Sequence, residues 1–212
     1  MIAVVDYGMG NLRSVERAFR SMRASVTITS DPEALTSAER IVLPGVGAFG
    51  EAMARLRAAG LAEALTEQVL GRRVPFLGIC LGLQLICRGS DERGTHDGLG
   101  WIPAWVRRID PGDASLRVPH VGWNDVRAKS GSALMPDGAS TGVFYFVHSF
   151  HAVPDEGAEG VVSATVPYGR ELTACIERGN ILATQFHPEK SQRDGLALLQ
   201  RFTSWQPAAL AA

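Results

Sequence analysis

Val74-Pro75-Phe76-Leu77-Gly78-Ile79-Cys80-Leu81-Gly82 is the stretch whose reading decides the fold. Val74 to Ile79 is an apolar run of strand length, and from Leu81 to Cys87 the pattern becomes that of an amphipathic helix. A residue held between two glycines at such a junction sits on a sharp strand-to-helix turn that pushes its side chain outward. The helix N-terminus behind it favours a thiolate. Cys80 therefore reads as a nucleophile, although a free cysteine is more often a small buried hydrophobe.

Working outward, the first half alternates short apolar runs with helical patterns. Ile2 to Val5, Val26 to Thr29 and Ile41 to Leu43 read as strands. Leu12 to Met22 reads as a helix with Leu12, Val15, Phe19 and Met22 on one stripe, and Asp31-Pro32-Glu33 as a helix start. Phe49 to Leu70 covers one or two helices interrupted at Gly60. Continuous β-branched strands between helices predict an α/β fold, a doubly wound, mostly parallel sheet with helices on both faces. Sites in such sheets gather beyond the carboxyl ends of the strands. Asp6-Tyr7-Gly8, Pro44-Gly45-Val46-Gly47 and Cys80 all fall there.

The second half changes character. Trp105 to Ile109, Val143 to Val147, Val161 to Val166, Glu171 to Ile176 and Ile181 to Phe186 read as strands joined by tight turns, one of them at Pro167-Tyr168-Gly169-Arg170. These add antiparallel strands in the C-terminal half. Arg193 to Trp205 closes the pattern as an amphipathic helix. Without repeat, linker or low-complexity segment, residues 1–206 are expected to form a single domain, with 207–212 a flexible tail.

The totals narrow the function. A chain of 212 residues with 46% apolar and 20% charged residues suits one globular domain. A net charge of −1 leaves no electrostatic footprint for nucleic acid or anionic membrane. There is no apolar run of membrane-spanning length and no basic-then-apolar leader, so a cytoplasmic location is expected. Three cysteines, Cys80, Cys87 and Cys175, argue against a disulfide framework; Cys87, on the helix after Cys80, and Cys175, in a strand, read as packing. No cluster has metal-ligand spacing, His148 and His151 included, and no cofactor is expected.

A cysteine needs a base and an orienting group to act near neutral pH. Gln185-Phe186-His187-Pro188-Glu189 supplies both. His96, His120, His148 and His151 lack such a neighbour, whereas Glu189 follows His187 by two positions and on extended backbone would share its face. Glycines in Pro44-Gly45-Val46-Gly47 let backbone N–H groups approach a developing oxyanion, and the segment lacks the length and the Lys-Ser/Thr of a phosphate loop. Gln84 lies one helical turn beyond Cys80 on the same face.

With these residues in hand, the chain resembles the triad-type (class I) glutamine amidotransferases, whose signatures are Gly78-Ile79-Cys80-Leu81-Gly82-Leu83-Gln84 and Gln185 to Glu189. Within that family it is similar to the glutaminase subunits of imidazole glycerol phosphate synthases through Asp6 to Leu12, Pro44 to Gly50, Pro119 to Asn124, Tyr145 to Ser149 and Gln185 to Ser191. The similarity runs from residue 2 to about 205, with Leu83 where methionine is common and Phe150 where tyrosine is common. The resemblance implies a catalytic triad of Cys80, His187 and Glu189, oxyanion donors from Gly45, Val46 and Leu81, and a glutamine pocket of Gly47, Gln84, Ser149 and Phe150. It also implies heterodimerisation with a (β/α)8-barrel cyclase subunit through Asn11, Trp123, Tyr145 and Lys190. That partner would take the ammonia to make imidazole glycerol phosphate and an aminoimidazole carboxamide ribotide, in histidine biosynthesis. Unpartnered, the chain is expected to be nearly inactive, its oxyanion strand misdirected. The alternative is the glutaminase of anthranilate or aminodeoxychorismate synthesis. A cysteine esterase on an α/β-hydrolase scaffold normally places its acid before the histidine, the reverse of the order here.

Overall fold

The computed structural model describes residues 1–135 and 142–207, so residues 208–212 of the expected tail lie outside the described residues. The strands in chain order are β1 (Ile2–Val5), β2 (Val26–Thr29), β3 (Arg40–Gly45), β4 (Phe76–Cys80), β5 (Cys87–Ser90), β6 (His96–Asp97), β7 (Ile102–Arg108), β8 (His120–Ala128), β9 (Gly142–His148), β10 (Phe150–Pro154), β11 (Val162–Tyr168), β12 (Arg170–Arg178) and β13 (Ile181–Thr184). The α-helices are α1 (Leu12–Ser21), α2 (Phe49–Ala58), α3 (Leu61–Thr66), α4 (Leu81–Leu85) and α5 (Gln192–Ser204).

Nine strands form one sheet in the order β2-β1-β3-β4-β13-β12-β11-β8-β9. From β2 to β13 the neighbours run parallel; from β13 to β9 they run antiparallel, so both halves of the sequence share one mixed sheet. The parallel strands β1, β3 and β4 are predominantly apolar on both faces because both are covered; β2, at the sheet edge, is only partly buried. Ala3 and Val5 face the core under α2 and α3, while Ile2 and Val4 face the core under α1 and α5. Gly60, at φ 67°, separates α2 from α3 in a conformation that glycine adopts without strain.

Besides the strands β6, β8 and β10, which the sequence reading did not include, three features depart from it. The helix after Cys80 ends at Leu85, and Cys87 opens β5, buried in a second sheet of order β10-β7-β5-β6. The run from Leu81 to Cys87 is buried throughout and apolar except for Gln84, so periodicity cannot separate a buried helix from a buried strand there. The Asp31-Pro32-Glu33 start leads only into a 3-10 turn, Glu33–Ser37, with Asp31 Oδ1 accepting the Glu33 N–H at 3.0 Å. Finally, the chain leaves the large sheet at the end of β9 and enters the small one at β10, so Ser149 and Phe150 sit where the two sheets meet.

Candidate active site

Cys80 is the last residue of β4 and has φ 55° and ψ −106°, a backbone conformation that residues with a Cβ rarely hold. The flanking glycines make it attainable. A Cβ on Gly78 would lie 2.8 Å from the Gly82 carbonyl oxygen, and one on Gly82 would run into the Leu43 carbonyl. Their absence lets α4 descend directly onto β3 and β4, which turns the Cys80 side chain into a cavity of about 380 Å³.

His187 reaches the same cavity because β13 pairs in parallel beside β4, Thr184 opposite Ile79. The imidazole is 2% exposed, and its Nδ1 lies 2.8 Å from Glu189 Oε1. Glu189 does not approach along extended backbone: Pro188–Lys190 is a 3-10 turn that curls the carboxylate back onto the ring. Ser191 fixes that turn, donating its hydroxyl to the His187 carbonyl at 2.6 Å and accepting the Tyr145 N–H at 3.0 Å. The other ring nitrogen, Nε2, is buried and has no hydrogen-bond partner among the described residues. Burial lowers the His187 pKa, but the interactions with Cys80 and Glu189 outweigh it, and the imidazole is pushed up to about 9.

The remaining predicted residues fall in two places. Val46, Gly47, Leu81, Gln84, Ser149 and Phe150 line the cavity with Cys80 and His187. Gly45 sits below it, opposite Cys80 in the β3–β4 register. The Val46 N–H donates to the Met9 carbonyl at 3.3 Å. Trp123 and Tyr145 face each other on the outer side of β8 and β9, ring centroids 5.9 Å apart, with Lys190 Nζ 5.8 Å from the Tyr145 ring centre. Val121, Val143 and Val147 extend that side as an exposed apolar face. Asn11 starts α1, which packs against the Pro188–Lys190 turn.

Sequence reasoning missed several polar residues here. Gln185 is fully buried, accepts the Gln84 amide at 3.1 Å and places its own Nε2 at 3.8 Å from Cys80 Sγ. Its signal was its place in the Gln185-to-Glu189 string. Glu92, which accepts the Phe49 N–H at 2.8 Å, and His148 also line the cavity; nothing around Glu92 in the sequence marks it, and the signal for His148 was its place in the Tyr145-to-Ser149 string. No group of three or more His, Cys, Asp or Glu among the described residues could hold a metal ion.

A cysteine on a strained strand-to-helix turn, with a histidine ion-paired to glutamate lining the same cavity, is the residue set that cysteine-dependent acyl transfer calls for, here on a mixed α/β sheet. The chain belongs to the class-I glutamine amidotransferase family, whose model matches residues 3–204. It is 50% identical to the imidazole glycerol phosphate synthase subunit HisH of Methanothermobacter thermautotrophicus, over 95% of this chain and 97% of the relative. It is 46% identical to the subunit of the same name from Syntrophotalea carbinolica, over 95% and 98% of the two chains. A solved glutamine amidotransferase superposes with a TM-score of 0.74 at 20% identity, covering 96% of this chain and 98% of that one, a likeness of fold.

Proposed function

We propose that the chain hydrolyses glutamine to glutamate and ammonia as the glutaminase subunit of an imidazole glycerol phosphate synthase. The observation that carries the reading is the buried His187–Glu189 pair held beside Cys80 by parallel pairing of β13 on β4. Relatives 46% and 50% identical over nearly the whole chain support the choice of synthase.

The chemistry follows from the geometry. An imidazole pushed up to about 9 holds, near neutral pH, the proton it takes from the Cys80 thiol. The sulfur attacks the side-chain amide carbon of glutamine as the carbonyl π bond opens onto oxygen. Collapse of the tetrahedral adduct breaks the C–N bond, and the His187 proton leaves with the nitrogen as ammonia. Water, deprotonated by His187, then cleaves the thioester to glutamate and returns the proton to the Cys–His pair. Gly47, Gln84, Ser149 and Phe150 form the glutamine pocket. Gln185 donates toward the Cys80 sulfur.

The Leu81 N–H and the Gly45-Val46 peptide serve as oxyanion donors, each worth roughly 3–4 kcal/mol in systems of this kind. The Val46 amide is tied to Met9, so that peptide must turn before it can contribute. Met9 lies two residues before Asn11, which we place on the partner face with Trp123, Tyr145 and Lys190. Docking of a (β/α)8-barrel cyclase there, with its nucleotide bound, releases the Val46 amide. The resulting heterodimer works in the cytoplasm, acts overall as a lyase and passes ammonia on without losing it to water.

A glutamine-like electrophile, diazo-oxo-norleucine, tests the assignment. Mass spectrometry of the assembled complex is expected to find one adduct on Cys80 and none in Cys80→Ala. Labelling of Cys87 or Cys175 instead would overturn it.

A further inference from the structure

Two histidines that this chemistry does not use stand beside it. His148 ends β9 and lines the cavity; His120 begins β8 directly opposite in the register. His120 Nδ1 lies 3.0 Å from His148 Nε2, and His148 Nδ1 lies 2.9 Å from the Phe150 carbonyl oxygen. At the far end, Asn124 Nδ2 lies 3.4 Å from His120 Nε2 and also donates to the Pro167 carbonyl at 2.9 Å. The His120 ring is clamped between Phe146 and Tyr168, with centroids 4.7 and 4.1 Å away.

Every donor in this chain is fixed by elimination. A carbonyl oxygen only accepts, so His148 Nδ1 carries the hydrogen. Burial holds both rings neutral, pushing His148 down to about 3 and His120 to about 4. His148 Nε2 is then a lone pair, so His120 Nδ1 donates to it and His120 Nε2 accepts from Asn124. A proton added to His148 would drive His120 to its other tautomer and turn its Nε2–H against the Asn124 amide nitrogen.

The chain ends on an atom that matters to the pocket. The Phe150 carbonyl also accepts Gln84 Nε2 at 2.9 Å, and that same nitrogen donates to Gln185, which reaches the Cys80 sulfur. With both acceptors on its nitrogen, the Gln84 amide keeps its oxygen free for the cavity.

We propose that His120 and His148 are positioning residues for the glutamine pocket, locked as two Nδ1–H tautomers that fix the Phe150 carbonyl and, through it, the Gln84 amide. The proposal rests on the glutaminase reading, and its test separates the two.

In the 15N-histidine spectrum of the full chain, both residues are expected to show a protonated Nδ1 and a lone-pair Nε2. Kinetics on the complex with the cyclase partner and its nucleotide give the second readout. His120→Phe keeps a stacked ring and removes the donor: the KM for glutamine is expected to rise about tenfold, with kcat within about twofold and a melting temperature lowered less than in His120→Asn. His120→Asn restores a donor near the Nδ1 position and loses the stacking: KM is expected within about threefold of the parent despite a lower melting temperature. Protonated Nε2 on His148, an unchanged KM in His120→Phe, or a KM that follows melting temperature across the two variants overturns the proposal. If the parent complex releases no ammonia, the glutaminase reading fails, and the tautomer spectrum still decides the histidine pair.

Discussion

Mild acid is expected to destabilise this chain through its histidines. In the unfolded chain each protonates near the usual value of 6.5, whereas burial holds His148 down to about 3 and His120 and His151 to about 4 in the fold. Between those limits the unfolded state binds protons that the folded state refuses, so stability falls as pH falls from 6.5 toward 4. Each histidine contributes a slope approaching about 1.4 kcal/mol per pH unit, so going from about pH 7 to about pH 5 removes roughly 2 kcal/mol per residue. His187 works in the opposite sense. Its pKa is raised to about 9, so its contribution is complete below 6.5 and is lost only as pH climbs through 9. Over the same acid interval it returns somewhat less than about 1 kcal/mol, which leaves a net loss of roughly 4–5 kcal/mol, a large share of an ordinary domain's stability. Urea unfolding at constant ionic strength, at pH steps across this interval, measures it directly. His151 Nδ1 has no hydrogen-bond partner, so His151→Gln is expected to remove about a third of the acid slope. A stability that is flat or rises on acidification would mean that these rings protonate within the fold, and the reasoning about their neutrality would fail.

Three further outcomes follow. Gly82→Ala, whose new methyl meets the Leu43 carbonyl, is expected to lower stability in urea by about 2–3 kcal/mol and to slow electrophile labelling of Cys80. In Cys80→Ala, burial at His187 is opposed by Glu189 alone, so its pKa read by NMR falls below the parent value of about 9. Trp123→Ala removes a ring already 48% exposed, so stability should change by less than about 0.5 kcal/mol while affinity for the cyclase partner falls by roughly thirtyfold, measured by calorimetry.

What the sequence disclosed, and what it hid, follows from burial. The strands β1, β3 and β4 are covered on both faces, and their continuous apolar runs are legible. β8 was missed as a strand because its alternation is inverted: Val121 and Trp123 are exposed, while His120 is buried inside. The apolar residues lie on the surface where we place the partner. β5 hid in the apolar run after Cys80. At the site, Cys80 was legible from the glycines its strained turn needs, and His187 and Glu189 from their closeness in sequence, although the 3-10 turn that joins them was not. The roles of Gln185 and His148 were not legible, although both lie in strings the sequence displays, since a buried polar residue is identified by what it bonds to across the fold. The direction of the Val46 N–H is a matter of backbone angles alone and leaves no trace in residue types.

Ammonia release from glutamine tests the central claim most directly, measured for the chain alone, for its complex with the cyclase, and for that complex with the cyclase's nucleotide bound. Near-background release alone, a rise of at least about a hundredfold in the liganded complex, and abolition by Cys80→Ala are the predicted results. Full release by the unpartnered chain would contradict the latent oxyanion strand. Release that survives loss of the thiol would contradict the mechanism itself.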